Sequence, residues 1–113
     1  MTAADHVVFL RDGCRSRLVR VGDIVSIDVS GNNMTIRLSN EDRAVVIRGS
    51  LRRCLRKLPA ELFFQAYRSC VVNLGQVAKV DAAARQIALR MRDGREIVMS
   101  RKQSLLLGRR FAL

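Results

Sequence analysis

Along most of the chain apolar residues return at every second position, the period of a strand with one buried face. Residues 7–11 (VVFLR) run into Asp12-Gly13 and are answered by 17–20 (RLVR), which predicts a first hairpin. Val25, Ile27 and Val29 share one strand face up to the turn Ser30-Gly31-Asn32-Asn33, and Met34, Ile36 and Leu38 share a face on the way back. A further strand is expected over 44–48 (AVVIR), after a polar turn at 39–43, and short strands over 70–73 (CVVN) and 77–80 (VAKV) around Leu74-Gly75. The last hairpin has the clearest pattern: Ile87, Leu89 and Met91 alternate toward Asp93-Gly94, and Ile97 and Met99 alternate back.

Two segments break the period of two. Ser50 precedes Leu51, Cys54, Leu55 and Leu58, apolar at helical spacing, with Pro59 just beyond; an N-cap and a stop bracket one short helix at 51–58. Its outer residues Arg52, Arg53, Arg56 and Lys57 read chiefly as a solvated face, because a helix-turn-helix would need a second long helix nearby. After Ser100, residues 101–111 are expected to form a short C-terminal helix with Leu105, Leu106 and Leu107 partly buried. The pattern describes one mainly β domain spanning 1–113, with residues 1–6 frayed. Phe63 and Phe64 are taken as core around the Pro59 turn.

Composition narrows the function classes. The chain has 113 residues, 49% hydrophobic and 27% charged, the usual mix of a folded globular domain. No stretch approaches the ~18 apolar residues of a membrane span, and the expected location is cytoplasmic. Cys14, Cys54 and Cys70 lack the spacing of a zinc knuckle and are read as reduced small hydrophobes. With one histidine, His6, no phosphate-binding glycine loop, and Glu41-Asp42 as the lone adjacent acidic pair in a solvated turn, neither an enzyme, a metal site nor a cofactor is expected. No small-molecule ligand is evident.

Charge points to the partner. Twenty-one Lys and Arg face ten Asp and Glu, a net charge of +11, and almost all of that excess lies beyond residue 40. The basic residues are overwhelmingly arginine, whose planar fork suits phosphates and guanine edges. A GC-rich coding sequence would also favour arginine over lysine, but it would not create the net charge. A polyanion, nucleic acid ahead of an anionic membrane, is the expected partner.

The stretch SLRRCLRKLPAELFFQAYRSCVVN at 50–73 resembles the signature of the LytTR DNA-binding domain, which bacteria use at the C-terminus of many response regulators. The order and spacing carry the likeness: a short helix ending in Leu58-Pro59, then Phe64, then Arg68-Ser69 followed by Val71-Val72-Asn73. Upstream, residues 23–28 (DIVSID) resemble the family's opening strand and Gly31-Asn32 its Gly-Asn-Tyr turn. Downstream, Ser100-Arg101 resembles the Ser-Arg that closes its last hairpin. The resemblance covers nearly the whole chain. It implies stacked small antiparallel β-sheets with a short helix, and double-stranded DNA read in the major groove by loops.

Transferred to this sequence, the resemblance makes Arg68, Arg101 and Asn33 the base-contacting candidates. An arginine fork can bond O6 and N7 of guanine together. Asn32, Tyr67, Ser69, Arg48, Ser50, Ser100, Lys102 and Gln103 are candidates for holding the DNA backbone or supporting the loops, with Lys79 and Arg92 behind them. Asn73, at a strand end before Leu74-Gly75, reads as a turn cap. Asn33, Tyr67 and Cys70 depart from the family's usual Tyr, His and aromatic residue.

The expected activity is that of a sequence-specific transcriptional regulator, stand-alone in view of Met1 and the short lead-in, and occupying paired half-sites as a homodimer or as two copies on DNA. Two rivals stay open: a protein that pairs with and modulates a larger LytTR-type regulator, and a basic RNA-binding β-module. Against the second, five aromatic residues, Phe9, Phe63, Phe64, Tyr67 and Phe111, offer little for a base-stacking platform.

Overall fold

The computed structural model describes residues 2–12, 14–83 and 85–112. Three antiparallel sheets hold about half of them. Strands β1 (Val7–Asp12) and β2 (Arg15–Arg20) form a two-stranded ribbon with Phe9 opposite Leu18. Strands β3 (Ile24–Ser30), β4 (Asn33–Leu38), β5 (Val45–Arg48), β6 (Phe63–Tyr67) and β7 (Cys70–Asn73) form a central sheet in the order β5-β4-β3-β7-β6. Strands β8 (Val77–Ala83), β9 (Gln86–Met91) and β10 (Glu96–Val98) make the third, in the order β10-β9-β8. Helix α1 (Leu51–Lys57) and helix α2 (Arg101–Phe111) complete the chain.

The central sheet is covered on both faces, and alternation along its strands feeds two separate cores. Ile27, Met34, Ile36, Phe63 and Val71 join Leu10 and Val19 of the ribbon and Leu58 after α1. Val25, Phe64, Ala66, Cys70 and Val72 join Leu89, Met91, Ile97 and Met99 of the third sheet and Leu107 of α2. Adjacent apolar pairs therefore split between cores, as Phe63 and Phe64 do.

The turns follow the local chemistry. Gly31 and Gly94 take φ of +60° and +92°, the left-handed region that a Cβ disfavours, at the two tight turns the pattern marked. Ser50 caps α1 by accepting from the Arg53 N–H at 3.3 Å, and Pro59 accepts from Leu62 and Phe63 as the chain leaves it. Gly13, in the expected first turn, lies outside the described residues.

Several expectations change. The Phe63 and Phe64 segment is a full strand, β6, because its neighbours need a partner along β7. Val25 does not share a face with Ile27 and Val29: a bulge between Ile24 and Ser26 turns it into the other core. The short strands expected around Leu74-Gly75 are present, and a 3₁₀ turn at Leu74–Gln76 carries the chain between them from the central sheet to the third.

The C-terminal helix is the longer of the two. It buries Ser104 and Leu107 while Leu105 and Leu106 stay exposed, since one helix stripe cannot hold three consecutive leucines. Its far end is held by Arg110, which donates to the Ala60 carbonyl at 2.9 Å and lies over Phe64 and Phe111. Glu41 is not simply solvated: its carboxylate accepts from both terminal nitrogens of Arg17 at 2.9 and 2.6 Å, tying the ribbon to the loop after β4. Among the cysteines Cys70 is buried and Cys54 half-buried, but Cys14 is exposed. At the N-terminus, residues Ala3–Asp5 form a 3₁₀ turn and the His6 carbonyl accepts from the Val21 N–H at 2.8 Å.

Asn73 is the buried polar hub of the fold. Its side-chain carbonyl accepts from the Gly75 N–H at 2.8 Å, which is the turn cap expected from sequence. Its amide also donates toward the carbonyls of Val21, Gly22 and Ile24 at 3.3, 3.3 and 2.9 Å, welding the approach to β3 onto the end of β7. Asn73→Ala removes the cap on the Gly75 N–H and the side-chain donor to the Ile24 carbonyl, whereas the Gly22 carbonyl keeps Gln76 Nε2 and the Val21 carbonyl keeps the Ile24 N–H; the cost is expected to be about 1–3 kcal/mol. Urea denaturation should show a lower midpoint with unchanged slope, and Asn73→Asp, which has no N–H to offer, should be at least as damaging.

Candidate nucleic-acid interface

The topology gathers the candidate residues. Strand β3 ends at Ser30, β4 begins at Asn33, β5 ends at Arg48, β7 begins at Cys70 and β6 ends at Tyr67, so all five reach the same end of the central sheet. Asn33 stands opposite both Ser30 and Arg48. The row runs Arg48, Asn33, Ser30, the Arg68-Ser69 turn and Tyr67. Four strand spacings make it about 19 Å wide.

Backbone hydrogen bonds fix the loops to one another. Gly49 N–H donates to the Asn32 carbonyl at 2.9 Å, joining the β3–β4 turn to the start of α1. Val29 N–H donates to the Ser69 carbonyl at 2.9 Å, and Gln65 Nε2 to the Arg68 carbonyl at 2.9 Å, so the turn carrying Arg68 is braced from two sides. Ser100 N–H donates to the Ala66 carbonyl at 3.0 Å while its hydroxyl accepts from Gln103 N–H at 3.2 Å, which starts α2 beside β6 and sets Arg101 at its first position.

Exposure separates the roles. Asn32, Asn33, Arg48, Ser50, Arg68, Arg101 and Lys102 are exposed, whereas Ser69, Ser100 and Gln103 are half-buried. The Ser50 and Ser100 hydroxyls already cap helices. Among the described residues the one side-chain ion pair is Arg17–Glu41, so no carboxylate neutralises Arg48, Arg68 or Arg101.

Two lower-weight candidates are not part of this edge. Lys79 lies within β8 opposite Arg90, and Arg92 sits at the far end of the third sheet from α2. One basic residue escaped the sequence reading: Arg85, in the β8–β9 turn, lines a cleft of about 600 Å³ together with Arg101 and Lys102. Nothing in its local sequence marks it, because the proximity arises from packing of the third sheet against α2.

A family model described as the LytTr DNA-binding domain matches residues 14–111. The chain belongs to the LytTR family. The same architecture recurs in the LytTr DNA-binding domain of a putative methyl-accepting/DNA response regulator from Bacillus cereus, with a TM-score of 0.80 over 95% of this chain and 97% of that one at 17% identity. A comparison with curated protein sequences yields no match. The fold of this LytTR domain is thus the expected mainly β arrangement of small antiparallel sheets, and it is a DNA-binding regulatory domain whose partner is double-stranded DNA. Among the described residues no helix is long and apolar enough to cross a membrane.

Behind the Arg68 turn of this LytTR domain lies a polar chain across three strands. Cys70 stands opposite Asp28 on β3 and opposite Tyr67 on β6. The Tyr67 phenol, the Cys70 thiol and the Asp28 carboxyl are neighbours through this pairing. Burial first, and then Asp28, pushes the Cys70 thiol up to about 12, while Tyr67 works in the opposite direction. Burial, the neighbouring thiol and Asp28 likewise raise the Tyr67 phenol to about 12, with Arg95 pulling both downward.

The folded state therefore retains protons that the unfolded chain releases near its ordinary values of about 8.5 for a thiol and 10 for a phenol. The resulting stability is complete below about pH 8.5 and is lost as pH rises toward 12. Tyr67 is the one tyrosine of the chain and there is no tryptophan, so tyrosinate absorbance reads it directly. The native midpoint is expected near 12, falling in Asp28→Asn, whereas a native midpoint at about 10 would contradict this environment.

Proposed function

We propose that this domain is a sequence-specific transcriptional regulator that reads double-stranded DNA through the end of its central sheet. The observation that carries the reading is the row of Arg48, Asn33 and Arg68, continued by Arg101, fixed by backbone hydrogen bonds and left without carboxylate partners. Arg68 and Arg101 bond guanine edges and Asn33 an adenine edge. The row is wider than one major groove, about 12 Å, which supports contacts on more than one groove face. Arg48 and Lys102, toward its flanks, hold phosphates with Ser50 and Gln103, while Asn32, Tyr67, Ser69 and Ser100 keep the loops in register. Arg85 adds charge beside Arg101.

Paired half-sites follow from size. A module of this kind buries roughly 600–1,000 Å² on DNA, and two copies about one helical turn apart supply the missing contact.

Selection from a random duplex library at about 150 mM salt, near physiological ionic strength, tests the reading. The wild-type chain should enrich a motif of two spaced half-sites. Arg68→Ala and Arg101→Ala should each lose about 1–3 kcal/mol and relax preference at one position, whereas Arg48→Ala should weaken all sites alike and reduce the salt slope by about one. Enrichment of nothing, with binding that vanishes uniformly as salt rises, would leave only nonspecific attraction and favour the partner-modulating alternative.

A further inference from the structure

The β1–β2 ribbon ends in an open strand edge. Strand β2 pairs with β1 alone, and the register sets Phe9 opposite Leu18 and Arg11 opposite Ser16. The Val21 N–H donates to the His6 carbonyl at 2.8 Å, one step beyond the Val7–Arg20 pair. Antiparallel ladders alternate between bonded and non-bonded pairs, so Val8–Val19 and Leu10–Arg17 exchange the bonds inside the ribbon. The N–H and C=O groups of Ser16, Leu18 and Arg20 therefore point away from β1. All three residues are exposed, and among the described residues no main-chain group outside the ribbon bonds to them.

The face beside this edge is apolar at its centre: Phe9 is 58% exposed and Leu18 is 66% exposed. An open edge of this kind is a template for a further strand, and this one is complementary to itself. Antiparallel pairing about a two-fold axis at Leu18 sets Leu18 against Leu18 of a second copy and Ser16 against the second copy's Arg20. The outward groups of all three residues are then used, in about six main-chain hydrogen bonds. Phe9, Leu18 and their two counterparts join into one apolar stripe across four strands. No arginine stands directly opposite another: Arg17 meets the second copy's Val19 and already pairs with Glu41 of its own chain. A slip of two residues either way loses a bonded pair, and one of the two slips sets Arg17 against Arg17. Duplex DNA would answer the ribbon's arginines but not its Phe9–Leu18 pair. We infer that β2 is a self-association edge through which two copies of this chain join their ribbons into one four-stranded antiparallel sheet. For its use in regulation such a pair rests on the paired half-sites proposed above, but it forms without DNA, so failure of either leaves the other standing.

Strands this short bury less than the ~1,200 Å² of a stable complex, so the dimer is weak and reversible. Sedimentation equilibrium of the nuclease-treated full chain at about 10–500 μM should show a monomer–dimer equilibrium. It should tighten as salt rises, because copies of net charge +11 repel one another. Leu18→Lys should weaken it by at least about tenfold, with the circular dichroism spectrum unchanged because Leu18 is exposed in the single chain. An equimolar mixture of Leu18→Lys and Leu18→Glu chains should associate at least about tenfold more tightly than either variant alone, since the two positions face each other across the axis. In a Cys14→Ser background, Leu18→Cys should form a disulfide-linked dimer on mild oxidation, because bonded pairs place Cα atoms about 5.5 Å apart, within disulfide range. Val46→Cys, exposed on the central sheet, should not.

A chain that stays monomeric across this range, or a Leu18→Lys variant that dimerises like the wild type, would overturn the inference. So would association that dissolves as salt rises, which marks bridging by a residual polyanion, or equal cross-linking of Leu18→Cys and Val46→Cys. Capture of a synthetic alternating Val-Glu peptide by a chain that does not self-associate would assign the edge to an acidic strand of another protein instead.

Discussion

Everything in this molecule depends on a sheet that is buried on both faces. Ile24, Val25, Ser26 and Ile27 of β3 and all four residues of β7 are buried, so each side chain must fit one of two cores. A one-residue slip of register would exchange the two sets wholesale, and neither core could accept the other's side chains. The alignment of strand ends is therefore as rigid as the packing behind it. Bulges make the local adjustments: one turns Val25 toward the second core, and another at the end of β6 sets Tyr67 opposite Cys70.

That rigidity suits the loops to the reading role proposed for them. Loops are usually the mobile parts of a domain, but here each turn is tied to a neighbour by a main-chain hydrogen bond across elements. Arg68 projects from a turn held by Val29 and Gln65, and Arg101 from a helix start held by Ala66 and capped by Ser100. The cost of ordering the backbone is met when the domain folds, and what remains is to order the guanidinium groups on DNA. Net charge supplies attraction to any duplex; under the proposed function the fixed loop positions supply discrimination.

Buried polar groups divide the labour differently. Asn73 joins segments some fifty residues apart in sequence through the carbonyls of Val21, Gly22 and Ile24, which is a folding role. The Asp28, Cys70 and Tyr67 chain sits directly behind the Arg68 turn and holds neutral side chains against a carboxylate, which couples the turn to the core.

By itself the sequence determined most strand positions, the short capped helix, the Gly31 and Gly94 turns and the excess of arginine, because alternation, capping and turn chemistry are local. It also carried the family, through the Leu58-Pro59, Arg68-Ser69 and Ser100-Arg101 landmarks in order. Tertiary structure alone decided that Phe63–Tyr67 is a strand, that Val25 faces away from Ile27, that Leu107 rather than Leu105 is buried, and that Arg85 joins Arg101. Each of those depends on which neighbour supplies the hydrogen bonds or the apolar contact, and neighbours distant in the chain leave no periodic trace in the sequence.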